Sequence, residues 1–207
     1  MAGNILLNPG LEVGEEPWLT HTVAVNTDPK VHFRRTEALA HGGRASALLH
    51  MRDPAEAEGA EVYYLIQEVA PERFPEVVSG FYRVENWMKG TGKQYLQFVV
   101  IVFGAENLSR SYDNHQIRYI LAGVGEPPIA IANAHFVFLD ADEPAQGRWI
   151  PFKVNVGDDF RRLWGDAPQD FDKIRVLFEV RWDGKVAGQG TPQADVYYDD
   201  LYMGAAQ

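Results

Sequence analysis

The chain has 207 residues, a formal net charge of −10 and no cysteine. The acidic balance argues against a nucleic-acid or anionic-membrane partner, and the lack of cysteine removes disulfides, thiolate metal sites and cysteine nucleophiles together. With 46% hydrophobic and 12% aromatic residues, the length fits a single β-rich domain over 1–207.

Residues 5–7 (Ile5, Leu6, Leu7) read as a short apolar strand, ended by Pro9-Gly10 and followed by Glu12. An acidic loop over 13–17 leads to Trp18. Strands are predicted over 31–38, 44–51 and 62–69, with turns at His41-Gly42-Gly43 and in the Pro54-bearing stretch 53–59. Residues 77–87 alternate, Lys89-Gly90-Thr91-Gly92 makes a turn, and 94–103 is rich in branched and aromatic residues, so these two strands are expected to form a long hairpin. Further strands are predicted over 116–121 and 135–139, divided by a Gly-Pro stretch over 123–128. Another covers 149–156, where Pro151 demotes the start to an edge or bulge.

One helix is expected over 158–164. Asp158 and Asp159 open it, Phe160, Leu163 and Trp164 form one apolar face, and Gly165 ends it. Residues 173–182 alternate strictly: Ile174, Val176, Phe178, Val180 and Trp182 oppose Lys173, Arg175, Leu177, Glu179 and Arg181, and Asp183-Gly184 turns the chain. A closing strand runs from Val196 to Met203. Many strands divided by turn signals, with one short helix, predict an all-β, two-sheet sandwich.

The two chain ends carry acid where a plain core strand would not. A period-2 reading that places Tyr197, Leu201 and Met203 on one face places Asp199 there too. An ionised carboxylate in apolar surroundings is costly unless it is paired or metal-bound. One solution sets the first and last strands side by side, with Glu12 and Asp199 sharing a hard cation such as calcium. The other has Asp199 capping a turn or pairing with an arginine.

A sugar-binding face needs aromatic platforms for pyranose rings and polar side chains for hydroxyls. Alternation puts Arg83, Glu85 and Trp87 on one side of their strand, Tyr95 and Gln97 on one side of theirs, and Arg118 opposite Ile117 and Tyr119. If these strands are neighbours, Arg83, Glu85, Trp87, Tyr95, Gln97 and Arg118 form a polar groove, with Trp18 as a further platform. The same face also reads as solvated sheet surface laced with ion pairs. Trp149 and Trp182 are expected in the core, and Trp164 is expected to anchor the helix.

The sequence resembles the carbohydrate-binding modules of families four, nine and twenty-two, within the galactose-binding-like jelly rolls. The likeness is carried by Asn4-Ile5-Leu6-Leu7-Asn8-Pro9-Gly10-Leu11-Glu12, Gly43-Arg44-Ala45-Ser46-Ala47-Leu48, Val78-Ser79-Gly80-Phe81-Tyr82-Arg83-Val84, Trp149-Ile150-Pro151-Phe152 and Val196-Tyr197-Tyr198-Asp199-Asp200-Leu201. It implies a two-sheet antiparallel jelly roll and non-catalytic binding of a polysaccharide or oligosaccharide. It also implies a structural calcium between first and last strands, with the family's glutamate at Glu12, its aspartate at Asp199 and Asp200 as a lesser candidate. A tethered catalytic domain in a larger parent protein is the expected partner besides the carbohydrate.

Little points to catalysis. The acid clusters Glu15-Glu16, Asp140-Ala141-Asp142-Glu143 and Asp158-Asp159 fall in loops or at the helix start, and His21, His32, His41, His50, His115 and His135 show no metal-ligand spacing. The chain is therefore expected not to be an enzyme. An alternative of another class is a structural or protein-interaction sandwich, marked by burial of Trp18 and Trp87 with no exposed aromatic beside Arg83 and Gln97; a lone glycan hydrolase or lyase comes third. No run of about 18 apolar residues occurs, so no membrane span is expected. Met1-Ala2-Gly3 leads straight into structure with no signal-peptide pattern. The compartment stays open, extracellular if the chain is an excised module of a secreted protein.

Overall fold

The computed structural model describes residues 3–18 and 33–206. In chain order its elements are β1 (Arg34–Thr36), β2 (Ser46–Arg52), β3 (Gly59–Val69), β4 (Val77–Met88), β5 (Gln94–Phe103), β6 (Asn114–Ala122), β7 (Ala134–Phe138), β8 (Trp149–Asn155), α1 (Val156–Trp164), β9 (Lys173–Lys185) and β10 (Gln193–Gly204). They form a jelly-roll sandwich of two five-stranded sheets. The first has the order β1-β2-β10-β4-β8 and the second β3-β9-β5-β6-β7. Every pairing is antiparallel except β6 with β7, which run parallel.

Between the sheets, the apolar rows predicted by alternation meet. Ile174, Val176, Phe178, Val180 and Trp182 of β9 face Leu96, Phe98, Val100 and Val102 of β5 and Val196, Tyr198, Leu201 and Met203 of β10, all in one core. Phe178 lies at its centre, with ring centroids 5.8 Å from Phe98, 6.1 Å from Phe152, 5.4 Å from Tyr198 and 6.0 Å from Trp18. Edge-to-face and tilted pairs at these distances add to the area term of burial. The helix forms where expected. Asn155 accepts from the Asp158 N–H at 3.0 Å as its N-cap, and Gly165 ends it at φ 91°, a left-handed cap that suits glycine.

Four local expectations are corrected. The stretch 5–7 is not a strand: it is tied to β10 by one bridge, Asn4 to Gly204, with Ile5 N–H donating to Met203 O at 2.8 Å. The segments 77–87 and 94–103 do not form a hairpin, because β4 pairs with β10 and β8 in the first sheet while β5 pairs with β9 and β6 in the second. The connection crosses between layers. There the Gln94 side chain accepts from Gly90 N–H at 2.8 Å and donates to Met88 O at 3.0 Å, and Gly90 runs so close to Pro192 that a Cβ would sit 2.2 Å from its nitrogen. The period-2 reading of β10 fails at a bulge: the register shifts between Asp199 and Tyr202 and Asp200 adopts φ 49°. Tyr197 therefore faces outward while Leu201 and Met203 face the core. Trp149, expected in the core, lies half-buried on the outer face of the first sheet, its ring 6.4 Å from Tyr197. The strand predicted over 31–38 lies partly outside the described residues, as do His21 and His32; β1 is its described part.

Phe178→Ala would remove the ring on which the core aromatics converge. A loss of about 3–5 kcal/mol is expected in urea unfolding monitored by tryptophan fluorescence, with the denaturant slope unchanged.

Candidate functional site

The outer face of the second sheet holds a cavity of about 210 Å³. The sheet face that carries it follows from the register. Across the strands, Val62 of β3, Arg181 of β9 and Tyr95 of β5 are neighbours; the next row is Tyr64, Glu179 and Gln97, then Ile120 of β6; the third is Ile66, Leu177, Val99 and Arg118; the fourth is Glu68, Arg175, Ile101 and Gln116. Because successive residues alternate sides, β9 turns its apolar row into the core and its charged row into this groove. An apolar strip of Val62, Tyr64, Ile66, Val99, Ile101 and Leu177 runs beside the polar bed, with Phe103 half-buried and covered by Lys173 and Arg175 at 5.2 and 5.1 Å.

The bed is buried and almost fully bonded. Glu179, Arg181, Asp183 and Gln97 are each less than a tenth exposed. Arg181 forks onto Asp183 at 2.9 and 2.6 Å, and the Tyr95 hydroxyl donates to Asp183 Oδ2 at 2.6 Å. Gln97 Nε2 donates to Glu179, whose carboxylate lies 3.6 Å from Arg181 Nη1. Burial alone would lower the Arg181 pKa, but Tyr95, Glu179 and Asp183 around it raise it above the usual guanidinium value. Burial beside Asp183 pushes the Tyr95 hydroxyl well up, so it stays a donor. Arg118 is oriented by Gln116, whose Oε1 accepts from Nε and Nη2 at 3.2 and 3.0 Å.

Of the residues predicted for one polar face, the structure brings together only Tyr95, Gln97 and Arg118. Arg83 and Glu85 lie on the outer face of the other sheet, where Arg83 donates to Glu85 Oε1 at 2.8 and 2.6 Å. Trp87 follows a bulge at Asn86 (φ 53°) that turns it toward the edge of the core, half-buried, with Nε1 bonded to Glu143. Trp18 is 1% exposed, packed edge-on to Phe178 and donating Nε1–H to Asn8 O at 2.7 Å. It is a core residue and no platform. Its burial is one mark of the interaction-domain reading, and half-buried Trp87 supplies only part of another. Glu179, Arg181, Arg175 and Gln116 complete the groove. The alternation of β9 puts the first three on one side; Asp183-Gly184 predicts a turn, whereas β9 continues to Lys185.

The outer face of the first sheet is aromatic and holds a cavity of about 390 Å³ beside Phe81, Pro151 and Asp200. His41 stacks on Phe81 with centroids 3.5 Å apart and meets Trp149 edge-on at 5.7 Å. Asp195 is bonded by His50 at 2.6 Å, Arg52 at 2.7 Å and Asn86 at 2.6 Å.

The acids at the chain ends do converge. Asp199 is fully buried; Oδ2 accepts from His41 N–H at 2.7 Å and Gly42 N–H at 3.1 Å, and Oδ1 from Asp200 N–H at 2.7 Å. Burial pushes its carboxyl up to about 6 against those bonds. Glu12 Oε1 accepts from the N–H groups of Arg44 at 2.9 Å and Ala45 at 3.1 Å, which hold its carboxyl below the usual range. Both carboxylates face Gly10, where a Cβ would lie 3.1 Å from Asp199 Oδ1 and 3.8 Å from Glu12 Oε1. Asp200 is instead engaged by His41 Nδ1 at 2.7 Å. Among the described residues no group of three histidine or acidic side chains is poised around one point.

No protein-family model matches the chain, and no curated protein matches it. Among solved structures it is similar to an endo-β-1,4-glucuronan lyase from the fungus Trichoderma reesei, at 10% identity, 93% of each chain covered and a TM-score of 0.53. It is also similar to a family 61 carbohydrate-binding module in complex with β-1,4-galactotriose, at 15% identity, 97% of each chain and a TM-score of 0.49. A third is the xylan-binding domain CBM22-1 of Xyn10C from Paenibacillus barcinonensis, at 15% identity, 100% of this chain and 98% of that one, with a TM-score of 0.48. Carbohydrate-binding modules thus recur among its structural neighbours, alongside enzymes, and what the likeness gives is the jelly-roll fold.

Proposed function

We propose that the chain is a carbohydrate-binding module that holds a polysaccharide or oligosaccharide in the groove on the outer face of the second sheet, without turning it over. The observation that carries this is the groove's pairing of a continuous apolar strip with a buried bed of amide, guanidinium and carboxylate groups. A sugar chain presents that same mixture of C–H faces and hydroxyls. The fold likeness to sugar-binding modules and to a polysaccharide lyase agrees with this reading, although the groove alone supplies its chemistry. Binding without turnover is favoured because the groove's buried acids are already engaged: Asp183 holds Arg181 and Tyr95, and Glu179 holds Gln97. Affinity from a few such contacts suits a module tethered to a catalytic domain, where effective concentration does the rest.

A glycan array and calorimetry check this. Gln116→Ala and Arg175→Ala, which alter the groove, are expected to weaken binding to the best array hit by about three- to tenfold each, while Arg83→Ala on the opposite sheet leaves it unchanged. Loss in Arg83→Ala with both groove variants intact would move the site to the first sheet. An array silent for folded protein would favour the interaction-domain reading, and steady release of new reducing or unsaturated ends would make the chain an enzyme.

We further propose a structural calcium held by Glu12 and Asp199 with nearby backbone carbonyls. The donors fit a hard cation: two carboxylates face one glycine, and among the described residues the buried one has no cationic side chain bonded to it. Bound there, the ion would neutralise Asp199 and tie the opening segment to β10. Millimolar calcium is expected to raise the melting temperature of chelator-treated protein by about 5–10 °C at pH 7, and Glu12→Gln or Asp199→Asn should abolish the rise. A shift of less than about 2 °C in wild type would remove the ion from the proposal.

The apo protein has its own signature. Asp199 has a folded value of about 6 against an ordinary 3.8, so the native state binds this proton more tightly than the unfolded chain. Its contribution is fully present below about pH 4 and is lost as pH rises through 6, on the order of 2 kcal/mol. In chelator, wild type minus Asp199→Asn should therefore show stability falling across that window in urea titrations. A flat difference would mean that Asp199 is not buried as its environment implies.

A further inference from the structure

Three guanidinium groups line the groove, and they are not equivalent. Arg175 donates to Glu68 at 2.7 and 2.5 Å, and Arg181 forks onto Asp183. Arg118 has no carboxylate within 4 Å among the described residues; its only bonds go to the neutral Gln116 amide. Among the described residues its Nη1 is buried with no hydrogen-bond partner, and so is the Oε1 of Gln97, which is itself fully buried. The two side chains are diagonal neighbours on one face: Arg118 pairs with Val99 across β5 and β6, and Gln97 lies two residues before Val99. Arginine stays ionised in proteins, and burial works against that charge here, holding its pKa below the ordinary value. A buried charge without a counterion is costly.

We propose that the groove selects an acidic glycan, with Arg118 Nη1 donating to the carboxylate of a uronate residue. This deepens the groove reading and rests on it. A neutral sugar would satisfy the N–H donor but add no charge, whereas a carboxylate supplies both an acceptor and a closer counter-charge than Glu179 and Asp183, which attract Arg118 from a distance while bonded to Gln97 and Arg181. Gln116 fixes the plane of the guanidinium so that Nη1 is the nitrogen left free.

The test uses pairs of polymers that differ only in charge: polyglucuronate, polygalacturonate and alginate, each beside its own carboxyl-reduced, neutral form, with binding measured by calorimetry at fixed salt. At least one acidic polymer is expected to bind about tenfold or more tighter than its reduced partner, as one charge-assisted bond warrants. Arg118→Gln should bring that ratio to about one, by weakening the acidic form more than the neutral one. Equal or tighter binding of the neutral polymers by wild type would overturn the acidic-ligand proposal and leave sugar binding standing. Retention of the acid preference in Arg118→Gln would overturn the assignment to Arg118. Failure of both members of every pair, with neutral array glycans also silent, would overturn the groove reading and this proposal with it. The wild-type comparison needs no variant, so a misfolded Arg118→Gln protein leaves it decisive.

Discussion

β9 has to bury both of its faces, and the rest of the sandwich answers to that. One face is the apolar row that centres the core on Phe178. The other carries Glu179, Arg181 and Asp183, all nearly inaccessible to water. Charges in that position are tolerated only when each finds bonds, which requires the polar side chains of β5 to arrive in register. Tyr95 meets Arg181 and Asp183, and Gln97 meets Glu179, because β5 lies directly beside β9. A slip of one residue would turn those partners into the core and leave the charges unpaired. The groove is thus specified by the same pairing that closes the core.

The first sheet has a different constraint. Its central strand is the last one in the chain, inserted between β2 and β4, so the sandwich is completed only when the C-terminal segment docks. The opening segment then lies along it. Asn4 accepts from Met203 N–H at 3.0 Å and donates to Leu201 O at 2.9 Å, and Leu201 N–H donates to Pro9 O at 3.1 Å. The loop that follows seals the sandwich by placing Leu11 and Trp18 in the core. The acids of the two ends are brought together by this docking, far from the groove's charges on the other sheet. A cation held there would act on stability, and the groove would act on ligand.

Alternation carries the sequence reading far but stops at two kinds of event. It assigns a residue to one side of its strand and says nothing of which sheet the strand joins. Arg83 and Glu85 were therefore grouped with Tyr95 and Gln97, although their strands lie in opposite layers. It also fails at bulges, where an extra residue reverses the phase. Asn86 redirects Trp87 in this way, and Asp200 sends Tyr197 outward while Leu201 and Met203 stay inside. Asparagine and aspartate reach positive φ at lower cost than most residues, so both bulges fall on plausible residues. Nothing local distinguishes them from other Asn and Asp positions.

The sequence by itself determined most of the elements and the inner face of β9: the ten-residue alternation of that strand, and the helix that opens on Asp158 and ends at Gly165. These follow from period, capping chemistry and local turn residues, which act over a few positions. Only the tertiary structure decided that the 88–94 connection crosses between layers, that Trp18 closes the core, and that Arg118 stands in a groove with no carboxylate within 4 Å among the described residues. Those outcomes depend on which distant strands become neighbours, and hence on the packing energy of the whole sandwich, which no local stretch of residues encodes.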